Sequence, residues 1–343
     1  AAVTGNNNLA VGKDALTSHT SGSNVTAVGA FALDANTSAS NNSAFGYGSL
    51  SSNTTGTQLT AVGVNALTSN TTGNYNIATG HAALTSNTTG QFNCAFGRVA
   101  LTSNVNGNYN NAFGDSALET NTGSNNSAFG YQALEANISA NNNVAVGYTA
   151  LRLNTTGTQN VAVGAFALDA NTTANNNTAL GHISLSANTT GTENTAVGSQ
   201  ALKANETGNY STAVGRNALF ANTTGSSNTA VGQEALDANT TASNNVAVGK
   251  GTMGNNTTGS ANTAIGKSAM GNNSTAVNNV AVGYNALLTN TTGSENTAVG
   301  SQALDANTTG TPNTAIGYNS LTSNTEGGSN TACGKSALQN NTT

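Results

Sequence analysis

Residues 283 to 299 read Gly-Tyr-Asn-Ala-Leu-Leu-Thr-Asn-Thr-Thr-Gly-Ser-Glu-Asn-Thr-Ala-Val, and Gly300 begins the same phrase again. With that first glycine as repeat position 1, it recurs at Gly12, Gly29, Gly46 and onward to Gly334 in steps of 17. One step, Gly114 to Gly130, is 16 long, which places a single deletion within Glu119-Thr120-Asn121-Thr122-Gly123. No linker or composition shift interrupts the pattern, so 1–343 reads as a single repeat domain.

The copies, compared with one another, show what each position tolerates. Position 16 is alanine in every copy, from Ala10 to Ala332. Position 5 is leucine except at Met253 and Met270, and position 4 is alanine except at Ser49, Ser184, Thr252 and Ser320. Position 8 is asparagine in every copy but one, where His19 stands. Position 14 is asparagine in most copies, and position 11 is glycine or alanine. Position 17 is a medium or large apolar residue or cysteine, apart from Thr79.

A 17-residue unit is too short for a pair of helices, and Gly, Asn and Thr are weak helix formers. Asn-Thr-Ala-Val-Gly suits a strand, and Asn-Thr-Thr-Gly suits a turn. The expected fold is all-β: a parallel β-solenoid, or β-roll, of about twenty 17-residue coils. At a strand spacing of about 4.8 Å such a stack would be on the order of 95 Å long. Stacking brings identical asparagines one rung apart, where amides can hydrogen-bond in a ladder. Asn36, Asn53, Asn70, Asn87, Asn188 and Asn222, all at position 8, are the leading ladder residues, and position 14 is the second candidate. The alanine at position 16 implies a close approach of backbone. Leu at position 5 and Val at position 17 are expected to form a narrow core. That apolar supply is thin for seventeen ordered residues, which favours several chains sharing a core, as in a homotrimer.

Composition excludes more than it includes. Only 6% of residues are charged, against about 25% in an average protein, and the net charge is −5. Weak acidity gives no electrostatic case for nucleic acid or an anionic membrane. Three histidines and thirteen acids, scattered over the chain, assemble no catalytic cluster or metal site, so no enzyme activity and no cofactor is expected. Cys94 and Cys333, fourteen coils apart, are read as core filler.

The element Asn-Thr-Ala-Val-Gly-x-x-Ala-Leu, as in Asn194 to Leu202 and Asn296 to Leu304, resembles the head repeat of trimeric autotransporter adhesins. The full 17-residue unit resembles the repeats of bacteriophage tail-fibre proteins. The resemblance implies a left-handed β-roll, three chains side by side, on a virion tail fibre or a bacterial cell surface. It also implies a role as fibre shaft or head that spaces, or mediates, attachment to a receptor or glycan, with no membrane insertion in this segment. The chain opens mid-pattern at Ala1-Ala2-Val3, without a signal peptide. No stalk, anchor or chaperone domain follows Thr343, so the sequence reads as the ordered portion of a longer protein or one processed at its ends.

Scarce charges and rings are sorted by position. Position 2 holds Arg98 and Arg216 with Tyr47, Tyr131, Tyr148, Tyr284 and Tyr318; position 6 holds Asp34, Glu119, Glu135, Asp169, Asp237 and Asp305. The simpler reading is two solvated or cross-paired lines, since exposed ion pairs contribute little. The functional reading makes position 2 a surface-contact strip for a glycan or receptor, its tyrosines stacking on sugar faces. Thr pairs at positions 9 and 10, such as Thr155-Thr156 and Thr223-Thr224, raise an alternative function, an ice-binding solenoid, and a cell-surface filament or matrix protein is another. The Asn-Thr-Thr sequons would be closed to glycosylation if position 8 is a buried ladder.

Overall fold

The computed structural model describes residues 4–343; Ala1-Ala2-Val3, the mid-pattern opening, lies outside them. It divides into two compact units, Ala1–Ala174 and Asn175–Thr343. The first contains strands β1 (Leu9–Val11) to β10 (Val161–Val163), the second β11 (Thr178–Leu180) to β20 (Asn330–Cys333). Within each unit every strand pairs parallel with the strand of the next coil, alanine against alanine: Ala27 with Ala44 in one, Ala213 with Ala230 in the other. Both units are parallel β-solenoids with one short strand per coil, and no helix occurs among the described residues.

Six positions of each coil point inward: 4, 5, 8, 11, 14 and 16. In the coil from Gly198 these are Ala201, Leu202, Asn205, Gly208, Ser211 and Ala213, all buried. The expected place of position 17 is therefore corrected. Position 16 faces in, so its neighbours at 15 and 17 face out, and Phe45, Val62 and Ile265 are among the exposed apolar residues. The position-17 valines are not core; the core is mainly alanine, leucine and amide. The cysteines follow their columns: Cys94, at position 15, is half-buried, and Cys333, at position 17, is exposed. Neither is core filler. Burial pushes the Cys94 thiol up from its ordinary value.

The amide ladder is present in both units. Asn222 Nδ2 donates to Asn205 Oδ1 of the preceding coil at 2.8 Å and to Gly225 O at 2.9 Å, while its Oδ1 accepts from Asn239 Nδ2 at 2.7 Å. Asn53, Asn70 and Asn87 repeat the pattern, and Asn36 receives Asn53 Nδ2 at 3.4 Å. Asn188 accepts from Asn205 at 2.9 Å. His19 fits at the end of the first unit because its ring imitates the amide: Nδ1 accepts from Asn36 Nδ2 at 3.0 Å and Nε2 faces Gly22 O at 2.9 Å. Position 14 forms a second ladder of a different kind. Asn76 Oδ1 accepts the backbone N–H of Asn93 at 2.9 Å, and Asn76 Nδ2 donates to Gly90 O at 2.7 Å.

Two irregularities show how tight these constraints are. The 16-residue coil lacks position 10, since Thr122 Oγ1 still makes the position-9 bond to Ile138 O at 2.8 Å. Asn121 there donates to Gly123 O but not to Asn104, whose buried Oδ1 has no partner. Position 13 has positive φ at Glu295, whose N–H bonds back to Val277 O at position 12, and at Ser329, whose N–H bonds back to Pro312 O instead. The residue at position 13 between them is Pro312. It supplies neither, and the Thr311 hydroxyl takes over the Ser294 carbonyl.

The backbone at position 5 was not foreseeable from residue type. Leu219 has φ +52 and its equivalents match it, a left-handed conformation that costs a side-chain-bearing residue roughly 1–2 kcal/mol. Full burial of the leucine, worth about 1.5–3 kcal/mol, offsets that strain. At position 1 only glycine serves: φ is +135 at Gly63, and a Cβ there would lie 2.4 Å from Gly80 O.

Two stability measurements check these assignments. Leu219→Ala should destabilise by about 2–5 kcal/mol. Leu219→Gly should be no worse, reversing the usual order of alanine over glycine, because glycine is free of the φ penalty. Inserting Thr between Thr122 and Gly123 should restore the missing rung to Asn104 and stabilise the first unit by about 1–3 kcal/mol, read by thermal or denaturant unfolding.

Candidate functional site

The position-2 candidates all lie on the outer surface. In the first unit Tyr47, Tyr131 and Tyr148 are exposed, as are Tyr284 and Tyr318 in the second. They do not form one uniform strip, because the cations among them have partners within the chain. Arg98 grips Asp115 of the next coil with two 2.9 Å bonds, from Nε and Nη2, and this carboxylate raises the guanidinium pKa further. Arg216 meets Glu234 at 2.7 Å. Lys267 lies 5.8 Å from the centre of the Tyr284 ring, and Lys335 6.0 Å from that of Tyr318. Tyr131 stacks on Tyr148 at 5.4 Å.

The acid line at position 6 is not a solvated face. Asp34, Glu119, Glu135, Asp169, Asp237 and Asp305 are half-buried, and Asp34, Asp169 and Asp305 each hold one buried Oδ1 without a hydrogen-bond partner. Loss of hydration raises the carboxyl pKa of Asp169, Asp237 and Asp305; Glu234 adds like-charge repulsion at Asp237. The two cations in this column sit beside their neighbours: Arg152 lies 3.9 Å from Glu135, and Lys203 5.1 Å from the Phe220 ring centre.

At one glycine between the two columns the surface opens into a depression. Gly48, at position 3, leaves a space of about 340 Å³ lined by Phe31, Asp34, Tyr47, Gly48, Ser51 and Asn65. Tyr47 meets Phe31 edge-on, ring centres 5.7 Å apart. Phe31, Ser51 and Asn65 were not singled out from sequence. The available signal was the glycine itself, since Gly48 and Gly251 are the position-3 glycines and each follows a coil with aspartate at position 6, Asp34 and Asp237.

Two aromatic stacks were also missed, although their one-coil spacing is visible. Tyr75, Phe92 and Tyr109 stack at 4.7 and 5.1 Å on position 13, and Phe96, Phe113 and Phe129 stack at 4.9 Å on position 17. The threonine pairs separate into two environments. Position-9 hydroxyls donate to the next coil's carbonyl, as Thr223 does to Thr240 O at 3.1 Å, leaving only position 10 exposed. The sequon amides at position 8 are buried and bonded. Among the described residues no three His, Cys, Asp or Glu side chains gather to hold a metal ion, and no helix is long and apolar enough to cross a membrane.

The raised carboxyl pKa values fix a sign. A carboxyl whose folded pKa exceeds its unfolded value, about 3.9 for Asp, favours the folded state most below that value, and the contribution is lost as pH rises through the folded pKa. The melting temperature should therefore rise on acidification from pH 7 towards about 4. Asp169→Asn/Asp237→Asn/Asp305→Asn should melt higher than wild type at neutral pH, with a flatter pH profile, by calorimetry. Comparison with known proteins adds no family assignment: no protein-family model matches the chain, and no curated protein matches it.

Proposed function

We propose that the chain is a structural segment, shaft or head, of an extracellular fibre on a virion or bacterial surface. In this reading copies pack side by side, a homotrimer on the resemblance, and space or mediate attachment to a cell-surface receptor or glycan. The observation that carries it is the outward strand face. Positions 15 and 17 hold no charged residue in any copy. Val11, Phe45, Val62 and Phe96 lie exposed there in the first unit, and Leu180, Val214, Val231 and Ile265 in the second. Charged residues are confined to other columns, so their absence from these outward ones is not a requirement of burial.

Contiguous exposed apolar surface beyond a few hundred Å² marks an interaction site. A stripe repeated at every coil matches best a partner with the same repeat, which is another copy of this chain. Sharing it would supply the apolar burial that the alanine-rich interior lacks. The ice-binding alternative loses support, because the position-9 hydroxyls are spent on the next coil and a flat two-column threonine array is not left exposed.

Sedimentation equilibrium on the purified chain tests the reading. A trimer is expected, and Val214→Lys/Val231→Lys should reduce it to monomer with the far-ultraviolet dichroism unchanged. A wild-type chain that sediments as a monomer would sink the proposal. Thermal hysteresis at micromolar protein would instead revive ice binding.

A further inference from the structure

The depression at Gly48 has a chemistry that points to a ligand class. We propose that it is a subsite for one neutral pyranose ring, which rests on the attachment reading and assigns it a place.

Each lining group has a matching part of a sugar. Tyr47 is 54% exposed and steadied by its edge-on contact with Phe31, so it offers an apolar ring to the C–H face of a pyranose. The Asp34 carboxylate lines the space and can accept from a hydroxyl, and the Ser51 hydroxyl and Asn65 amide can both donate and accept. The Asp34 Oδ1 is buried and partnerless, as at Asp169 and Asp305, and marks no ligand by itself; what is special at Asp34 is the glycine beside it. A volume of about 340 Å³ is near the lower end of ligand pockets, which span about 300–1,000 Å³, and suits one ring rather than a chain of them.

Charge selects against the other candidates. Asp34 repels an anion. An ammonium ligand would fit a carboxylate beside two rings, but Lys13 Nζ already lies 5.6 Å from the Phe31 ring centre and would repel a second cation. The other position-3 glycine supplies an internal control. Around Gly251 the corresponding positions are Glu234, Lys250 and Gly254, with no aromatic residue among them.

Saturation-transfer NMR on the full chain tests this with methyl glucoside, methyl galactoside, methyl N-acetylglucosaminide and tetramethylammonium as probes. At least one glycoside should receive saturation at its ring protons. Its affinity should fall at least tenfold in Gly48→Asn and in Tyr47→Ala and stay unchanged in Gly251→Asn. Asparagine is accommodated at position 3 with positive φ elsewhere, as at Asn65 (φ +57), so Gly48→Asn fills the depression without asking for a new backbone. The Asn65 side chain, 2.6 Å from where the new Cβ would lie, is a flexible end that can turn aside. Tyr47→Ala, on the surface, provides a second variant that does not depend on that adjustment. No transfer to any glycoside, transfer that survives Gly48→Asn, or preferential binding of tetramethylammonium would overturn the subsite. An assembled chain that ignores sugars fails this proposal alone; a monomer that binds them fails the fibre proposal alone.

Discussion

The architecture depends on how one carbonyl per coil is satisfied. The position-11 oxygen lies inside, away from water, and two side chains converge on it. Gly56 O accepts Asn53 Nδ2 from its own coil at 3.0 Å and Asn42 Nδ2 from the coil before at 2.8 Å. A buried carbonyl without partners costs about 1–3 kcal/mol, and the cost would recur in every coil. Both asparagine columns can be understood as answers to that demand. Their remaining amide atoms are used by the neighbouring coils, which turns a local repair into a ladder. Position 11 must stay small because a Cβ on Gly56 would sit 2.5 Å from both Asn53 Oδ1 and Gly73 O. Alanine at Ala39 and Ala140 is the largest substituent that this position carries.

This constraint explains why so much of the fold was legible. Corners, ladders and the close-packed alanine are positions where one or two residue types dominate, so comparing the copies reveals them. The deletion near Asn121 was legible as a missing residue, but its consequence was not, because the orphaned Asn104 Oδ1 depends on which rung loses its donor. Position 17 misled for a different reason. Its residues are apolar in nearly every copy, and apolarity alone does not say which side of a strand is the interior. The invariant alanine at position 16 held the answer: the face packed against backbone is the inner one, so Val and Phe beside it must turn out. Left-handed leucine was hidden more deeply, since leucine at φ +52 contradicts its intrinsic preference and only tertiary burial sustains it.

The surface chemistry obeys a second rule. Charges are few, and several outer ones meet a partner on the adjacent coil: Arg98 with Asp115, Arg216 with Glu234, Lys267 over Tyr284. The sequence located the columns but not these pairings, because the partner lies 17 or 18 residues away and, for Arg216, in another column. A surface with so few charges, several of them paired, has little field left for steering a distant charged partner. Recognition by such a surface has to come from contact, through rings, amides and hydroxyls.

Those requirements leave the repeat one economical way to make a local site. The inner six positions accept only a narrow set of residues, since most changes there orphan an amide or open the core. Positions 15 and 17 are kept free of charge in every copy. Position 3 is different: it accepts phenylalanine, asparagine, glutamine, serine or glycine at the same positive φ, so its side chain is not needed for folding. Removing that side chain leaves a space between a ring column and an acid column at no cost to the ladders, which is the situation at Gly48. Local chemistry is thus written by omission at the most permissive outward position, while the framework that holds it stays invariant.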